Sequence, residues 1–238
     1  MNNSNSFSTC IEVHQPATEL AMSLSSSSEF LTGKATPADI KKQLVTFMTV
    51  AKIARPVTVM IHSSSGSSGS GVIINRQDDT YTVLTANPVV ESTGVKYFIH
   101  TNQGNNYAAT KVMKLQQHKS QTNLALVQFD SPYTHPIATL GSSDDALIGT
   151  DIYVSGYFQT LHTKKQEFIK GRIVGRSNEK LLYYNAQTSS GMSGSPVFNA
   201  RAQVIGIHLA GEVNLESRIG CNMVRLINTF TPSQTERN

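Results

Sequence analysis

The sequence predicts an all-β protein in two halves, led by one helix and a Ser-rich tail. Three observations point there. Twelve short stretches alternate apolar and polar residues with a period of two, turn residues separate them, and only one stretch carries a helical period. With no helices between the strands, a parallel sheet is excluded, and the regular spacing fits antiparallel barrels or sandwiches.

Residues 1 to about 35 are polar and Ser-rich, including Ser25-Ser-Ser-Ser28, and hold too few spaced apolar positions to cover a core. A disordered tail, residues 1–35, is expected. At Thr36-Pro37-Ala38-Asp39 a helix start is written in full: a Thr cap, Pro at the first helical position and an acid three residues after the cap. The helix, within 36–55, should run to about Ala54 and dock through Ile40, Leu44, Phe47, Met48 and Ala51. Arg55-Pro56 should end it.

The strands follow at Val57–Ile61, Gly71–Ile74, Thr80–Ala86, Lys96–Thr101, Tyr107–Lys114 and Leu124–Phe129. The second set is Asp151–Ser155, Phe168–Gly175, Leu181–Asn185, Pro196–Phe198, Val204–Leu209 and Ile219–Val224. Between the sets, Asp130 to Asp145 is rich in turn formers, which divides the chain into a first half, 56–135, and a second, 136–238. The Gly/Ser run Ser63–Gly71 has strands close on both sides and reads as a mobile hairpin loop. No Gly-Lys-Ser/Thr follows it, so it does not cradle phosphate.

The 238 residues are enough to bury a core, and only 15% are charged, against roughly 25% in an average globular protein. The surplus of +4 is scattered, which argues against nucleic acid as a partner. Cys10 and Cys221 stand at opposite ends and imply no disulfide framework. No zinc spacing occurs, so neither a metal nor a cofactor is expected. The start has no basic region followed by an apolar one, and no apolar run approaches the ~18 residues of a membrane span. The chain reads as cytoplasmic, with no membrane contact.

The most specific stretch is Gly191-Met-Ser-Gly-Ser-Pro196, preceded by Thr188-Ser-Ser190 and followed by Val197-Phe-Asn and Val204-Ile-Gly-Ile-His-Leu209. A serine between glycines can sit on a tight turn with its hydroxyl exposed. The N–H groups of Gly191 and Ser193 then converge where an oxyanion would form. An α/β-hydrolase elbow fits worse, because it needs glycine where Ser195 stands and a helix where Pro196 begins a strand.

These residues resemble the nucleophile loop of chymotrypsin-fold serine peptidases, and most closely the bacterial branch that includes the glutamyl endopeptidases. The resemblance covers about residues 55 to 230 and implies two antiparallel six-stranded β-barrels. It makes Ser193 the nucleophile position and Gly191 part of the oxyanion hole. The family's base lies in a phrase like Val-Leu-Thr-Ala-x-His-Val-Val; here Val83-Leu-Thr-Ala-Asn-Pro-Val-Val90 puts Pro88 at the histidine position. The family's acid precedes Leu-Ala-Leu-Val; here Asn123 precedes Leu124-Ala-Leu-Val127.

Both departures weaken the serine. Its hydroxyl is a poor nucleophile unless a base takes the proton, and proline has neither a titratable group nor an N–H. Of the other histidines, His14, His62, His100, His118, His135 and His162 have no sequence reason to meet Ser193. The resemblance places Thr188 and His208 where glutamyl endopeptidases receive an acidic side chain, and Gly211 on the pocket rim. A strand histidine can equally be hydrogen-bonded in place.

The sequence therefore reads as a peptidase homologue, leaning away from an enzyme, that acts by binding a peptide or protein partner. Two alternatives stand beside it: an active serine endopeptidase with an atypical base, preferring acidic residues, and a structural remnant whose tail or helix carries the interaction.

Overall fold

The computed structural model describes residues 35–117, 120–144, 146–159, 164–176, 181–214 and 219–229. The expected tail, apart from Ala35, lies outside the described residues, as do Cys10, His14, His118 and His162.

Helix α1 (Pro37–Val57) begins as the sequence predicts. The Thr36 hydroxyl accepts the Asp39 N–H at 3.2 Å, and the Asp39 carboxylate accepts the Thr36 N–H at 3.0 Å. This reciprocal box satisfies two donors the helix would leave bare. Those bonds from Thr36 hold the Asp39 carboxyl below the usual carboxylate range.

The helix end differs from expectation, running through Arg55-Pro56 to Val57. A proline this close to the end removes a single ladder bond. Thr58 closes the turn instead, its N–H donating to the Arg55 carbonyl and its hydroxyl to that of Ala54 at 2.8 Å. The docking face also differs. Val50, Ala51, Ala54 and Val57 are buried, and Phe47 packs edge-on against Tyr153 and Phe168. Leu44 and Met48, expected inward, are exposed by 39% and 59%. Two alanines let the helix backbone approach the barrel closely, which turns the larger Leu44 and Met48 away from it.

β1 (Thr58–Ser63), β2 (Ser68–Gln77), β3 (Thr80–Ala86), β4 (Tyr97–His100), β5 (Asn106–Gln117) and β6 (Ser120–Asp130) close a barrel in the order β1-β2-β3-β6-β5-β4. β7 (Asp151–Gln159), β8 (Lys164–Arg176), β9 (Leu181–Asn185), β10 (Pro196–Phe198), β11 (Val204–Asn214) and β12 (Ile219–Leu226) close a second, β10-β11-β12-β9-β8-β7. All pairings within both barrels are antiparallel. The resemblance-based fold, two six-stranded barrels behind a helix, is the observed one.

Ile61, Ile73, Tyr81, Leu84, Ile99, Leu126 and Phe129 are buried in the first barrel, where β3 is covered on both faces, and Ile152, Val154, Tyr184, Val197 and Ile205 in the second. The Gly/Ser run resolves into two parts. Residues 64–67 turn under hydrogen bonds between the Ser63 hydroxyl and those of Ser65 and Ser67, and from Ser68 onward the run is strand. Its glycines serve close packing: a Cβ on Gly69 would stand 2.6 Å from Val89.

The connector between the barrels is tied to both. His135 is buried against Tyr81, Tyr107 and Phe129, with Nε2 2.9 Å from the Ser131 hydroxyl. Ala138 donates to Ile73 in the first barrel, and Gly141 to Val204 in the second. No helix among the described residues is long and apolar enough to cross a membrane.

Candidate active site

Ser193 lies on the loop between β9 and β10, and both barrels hold that loop. Within it, Met192 N–H donates to Ser189 O at 3.1 Å and Ser195 N–H to Met192 O at 3.0 Å. Toward the second barrel, Gly194 N–H donates to His208 O and His208 N–H to Ser195 O, at 2.8 and 2.9 Å. Toward the first barrel, Ser70 N–H donates to Ser193 O at 2.7 Å. The Ser70 hydroxyl reaches Gly191 O at 3.1 Å while accepting the Tyr157 N–H at 2.8 Å.

Gly194 has φ +85, and a Cβ there would collide with Ser70 O and Thr85 Oγ1, so only glycine fits. Among the described residues the N–H groups of Gly191 and Ser193 have no protein acceptor, and the Ser193 hydroxyl has no hydrogen-bond partner. Two unengaged backbone donors beside the unpartnered hydroxyl of half-buried Ser193 are the parts of an oxyanion site.

Among the described residues, no histidine faces this loop from the neighbouring corner. β3 runs into a 3₁₀ turn, Asn87–Val90, in which Val89 and Val90 are buried and Pro88 is exposed. Val89 and the Ser193 carbonyl crowd the same point above Gly69, which sets the Pro88 turn beside the serine loop. The β3–β6 register pairs Ala86 with Leu124, so Asn123 adjoins the turn as well. Asn123 has φ +58, a left-handed conformation that Asn tolerates through its short polar side chain. Sequence positions 88, 123 and 193 thus meet in one corner. Asn87 Oδ1 is buried there with no hydrogen-bond partner.

None of the described histidines partners Ser193. His62 stacks on Phe98, and burial, followed by nearby Lys164, pushes its pKa down. His100 Nδ1 is 3.0 Å from Asn106 Oδ1, and His135 is enclosed in the connector, where burial lowers its pKa. Glu167 on β8 reaches the loop, its carboxylate accepting the Ser189 hydroxyl at 3.1 Å. Among the described residues no group of three or more His, Cys, Asp or Glu is placed to hold a metal ion.

Of the expected specificity residues, Thr188 lies on the loop after β9, and His208 and Gly211 lie on β11. The Thr188 hydroxyl donates to Asn222 Oδ1, whose Nδ2 donates to Ala186 O at 2.6 Å, and Gly211 pairs with Asn222 across β11 and β12. His208 is buried, with Nδ1 3.2 Å from the Tyr184 hydroxyl and a further ring hydrogen bond to the Met223 backbone. Burial pushes the His208 pKa down to about 4, the Met223 bond opposing it, and burial raises that of Tyr184. His208 is therefore neutral near pH 7.

Sequence reasoning missed Ser70, Glu167, Asn222 and Tyr184. Asn222 left a trace, an amide inside the apolar strand Ile219–Leu226. Glu167 and Ser70 left none, because strand pairing within the second barrel brings Glu167 to the loop and packing between the barrels brings Ser70.

Residues 33–207 match the trypsin-like peptidase domain family. Glutamyl endopeptidases of Staphylococcus aureus are similar: that of strain MRSA252 is 27% identical over 176 residues, covering 67% of this chain and 48% of the relative. That of strain MW2 is 28% identical over 176 residues, covering 67% and 52%. The chain spans about half the length of these curated relatives. The crystal structure of Deg5 superposes with a TM-score of 0.64 at 17% identity, covering 79% of this chain and 91% of that one, a likeness of fold. A match over most of the chain, on two closed barrels that clamp the serine loop between them, makes this chain a member of the trypsin-like, chymotrypsin-fold serine peptidase family.

Proposed function

We propose that the chain is a catalytically inactive peptidase homologue that binds an extended peptide or protein segment in the groove beside Ser193. Pro88 carries this reading, because it stands where the base would and can neither take nor hold a proton. In subtilisin, losing the histidine costs roughly 10⁶ in turnover, some 8 kcal/mol of transition-state stabilisation. An amide at the acid position costs about 10⁴ in trypsin even with the histidine present. The two losses do not add, and binding with the oxyanion donors leaves roughly 10³ to 10⁴ over water.

The unengaged Gly191 and Ser193 N–H groups favour the second reading, an active endopeptidase with an atypical base. For either reading the pocket suits a neutral side chain. Thr188 already gives its proton to Asn222, and His208 is buried and uncharged, so neither offers a charged donor to a carboxylate. The name of the glutamyl relatives therefore does not carry their acidic preference to this chain. A peptide partner in place of nucleic acid accords with the low charge, 15%, and the scattered surplus of +4.

A fluorophosphonate probe tests the reading. Little or no labelling of Ser193 is expected. Labelling as fast as that of an active glutamyl endopeptidase would overturn it.

A further inference from the structure

Helix α1 turns an apolar and basic ridge to solvent. Val45 and Met48 are exposed by 57% and 59%, with Leu44 at 39% and Ile53 at 48% on either flank. At 3.6 residues per turn, Lys41, Val45, Met48 and Lys52 fall within an arc of about 60° on the side opposite buried Val50. Lys42 and Arg55 extend the exposed charge on the flanks. The helix holds four cations and one acid, and that acid, Asp39, is engaged by the Thr36 cap.

We propose that this ridge is a peripheral docking surface for an anionic lipid bilayer, with Val45 and Met48 entering the headgroup boundary and Lys41 and Lys52 meeting lipid phosphates. This departs from the expectation of no membrane contact, which rested on the lack of a spanning segment. Two features choose lipid over other occupants. A second copy face to face would set four cations against four, with one carboxylate on each helix, Asp39, at its far N-terminal end. The ridge is convex, with large apolar side chains between flexible lysines along its axis. Such a surface can sink its apolar tips while the lysine heads stay in the polar layer. The strand beneath adds to the field, because Lys170 and Arg172 share the single charge of Asp151, and Lys170 also touches Gln43 of the helix.

The full chain contains no Trp, so Met48→Trp supplies a single fluorescent reporter. Its emission should shift to the blue with phosphatidylserine-containing vesicles, and not with pure phosphatidylcholine vesicles or at high salt. In co-sedimentation of the otherwise native chain, Lys41→Ala with Lys52→Ala should lower partitioning about 25-fold, at roughly fivefold per cation near the surface. Val45→Ser with Met48→Ser should lower it several-fold. Lys111→Ala with Lys114→Ala, exposed on β5, should leave it within about twofold. Thermal melts matching the parent chain show that each variant is folded.

Equal binding to neutral and anionic vesicles, or equal loss in the β5 variant, would overturn the proposal. So would self-association abolished by Val45→Ser with Met48→Ser in a chain that ignores vesicles. An equal Met48→Trp shift with polyglutamate in the absence of lipid would overturn it in favour of an acidic protein partner.

Discussion

The Ser70 hydroxyl joins Gly191 to the opposite barrel: it lies 3.1 Å from the Gly191 carbonyl and accepts the Tyr157 N–H at 2.8 Å. One buried side chain on β2 thereby fixes both the peptide unit ahead of Ser193 and the neighbouring strand β7. Ser70→Ala leaves the Tyr157 N–H and the Gly191 carbonyl without this partner, at about 1–3 kcal/mol for the buried donor. At roughly 2–4 °C per kcal/mol for a chain of this size, the melting temperature should fall by about 2–12 °C. A melt within a degree of the parent would mean that water replaces the hydroxyl and the loop does not depend on it.

The same corner decides whether catalysis can be restored. Pro88 and Asn123 adjoin through the β3–β6 register, and the loop they face keeps its two N–H donors. Pro88→His combined with Asn123→Asp should raise the rate of Ser193 phosphonylation and peptide hydrolysis by at least about 10² over Pro88→His alone, since the acid sets the histidine tautomer. Aspartate also tolerates the left-handed conformation at position 123. If the pair gains nothing over the single change, the serine loop or groove is unproductive in its own right.

This corner also shows what the sequence can and cannot disclose. Period-two patterning located all twelve strands, and the phrases around Pro88, Asn123 and Ser193 single out the candidate site, because both signals are local in sequence. The α1 docking face was misread because Leu44 and Met48 share a helical spacing with the true contact residues; which arc faces the barrel depends on how closely Ala51 and Ala54 allow the backbones to approach. Ser70 and Glu167 reach the loop only through the packing of strands and barrels, which no local pattern reports, and Asn222 left only an amide inside an apolar strand. The Gly/Ser run misled in the same way: composition suggested mobility, whereas Gly69 is there because Val89 leaves no room for a side chain.

Peptide selectivity follows from the pocket hydrogen bonds. With Thr188 donating to Asn222 and His208 neutral, a buried carboxylate would lose its hydration without gaining a charged donor. In a binding assay at pH 7, peptides carrying Gln at the pocket position should bind at least as tightly as their Glu counterparts. Asn222→Ala should change this ranking by releasing the Thr188 hydroxyl. A Glu peptide binding tenfold tighter than its Gln partner to the parent chain would mean that the pocket rearranges to receive acid.

His208 gives the fold an acid-sensitive point. Its pKa is lowered to about 4 in the folded chain, mainly by burial, against about 6.5 when unfolded. Between those values the unfolded chain binds more protons, so stability is fully present above about pH 6.5 and is lost as the pH falls toward 4. The loss by pH 4.5 is on the order of 2–3 kcal/mol. His208→Gln keeps an acceptor for Tyr184 and cannot be charged, so urea midpoints at pH 7 and 4.5 should differ less than in the parent. A smaller slope remains from His62 and His135, whose pKa values are lowered by burial in the same direction. The backbone of His208 brackets the serine loop through Gly194 and Ser195, so protonation that displaces this strand would also release the loop. Fluorescent-peptide binding should accordingly weaken over the same pH interval in the parent and less in His208→Gln. Equal pH dependence in both chains would assign the acid sensitivity to another group.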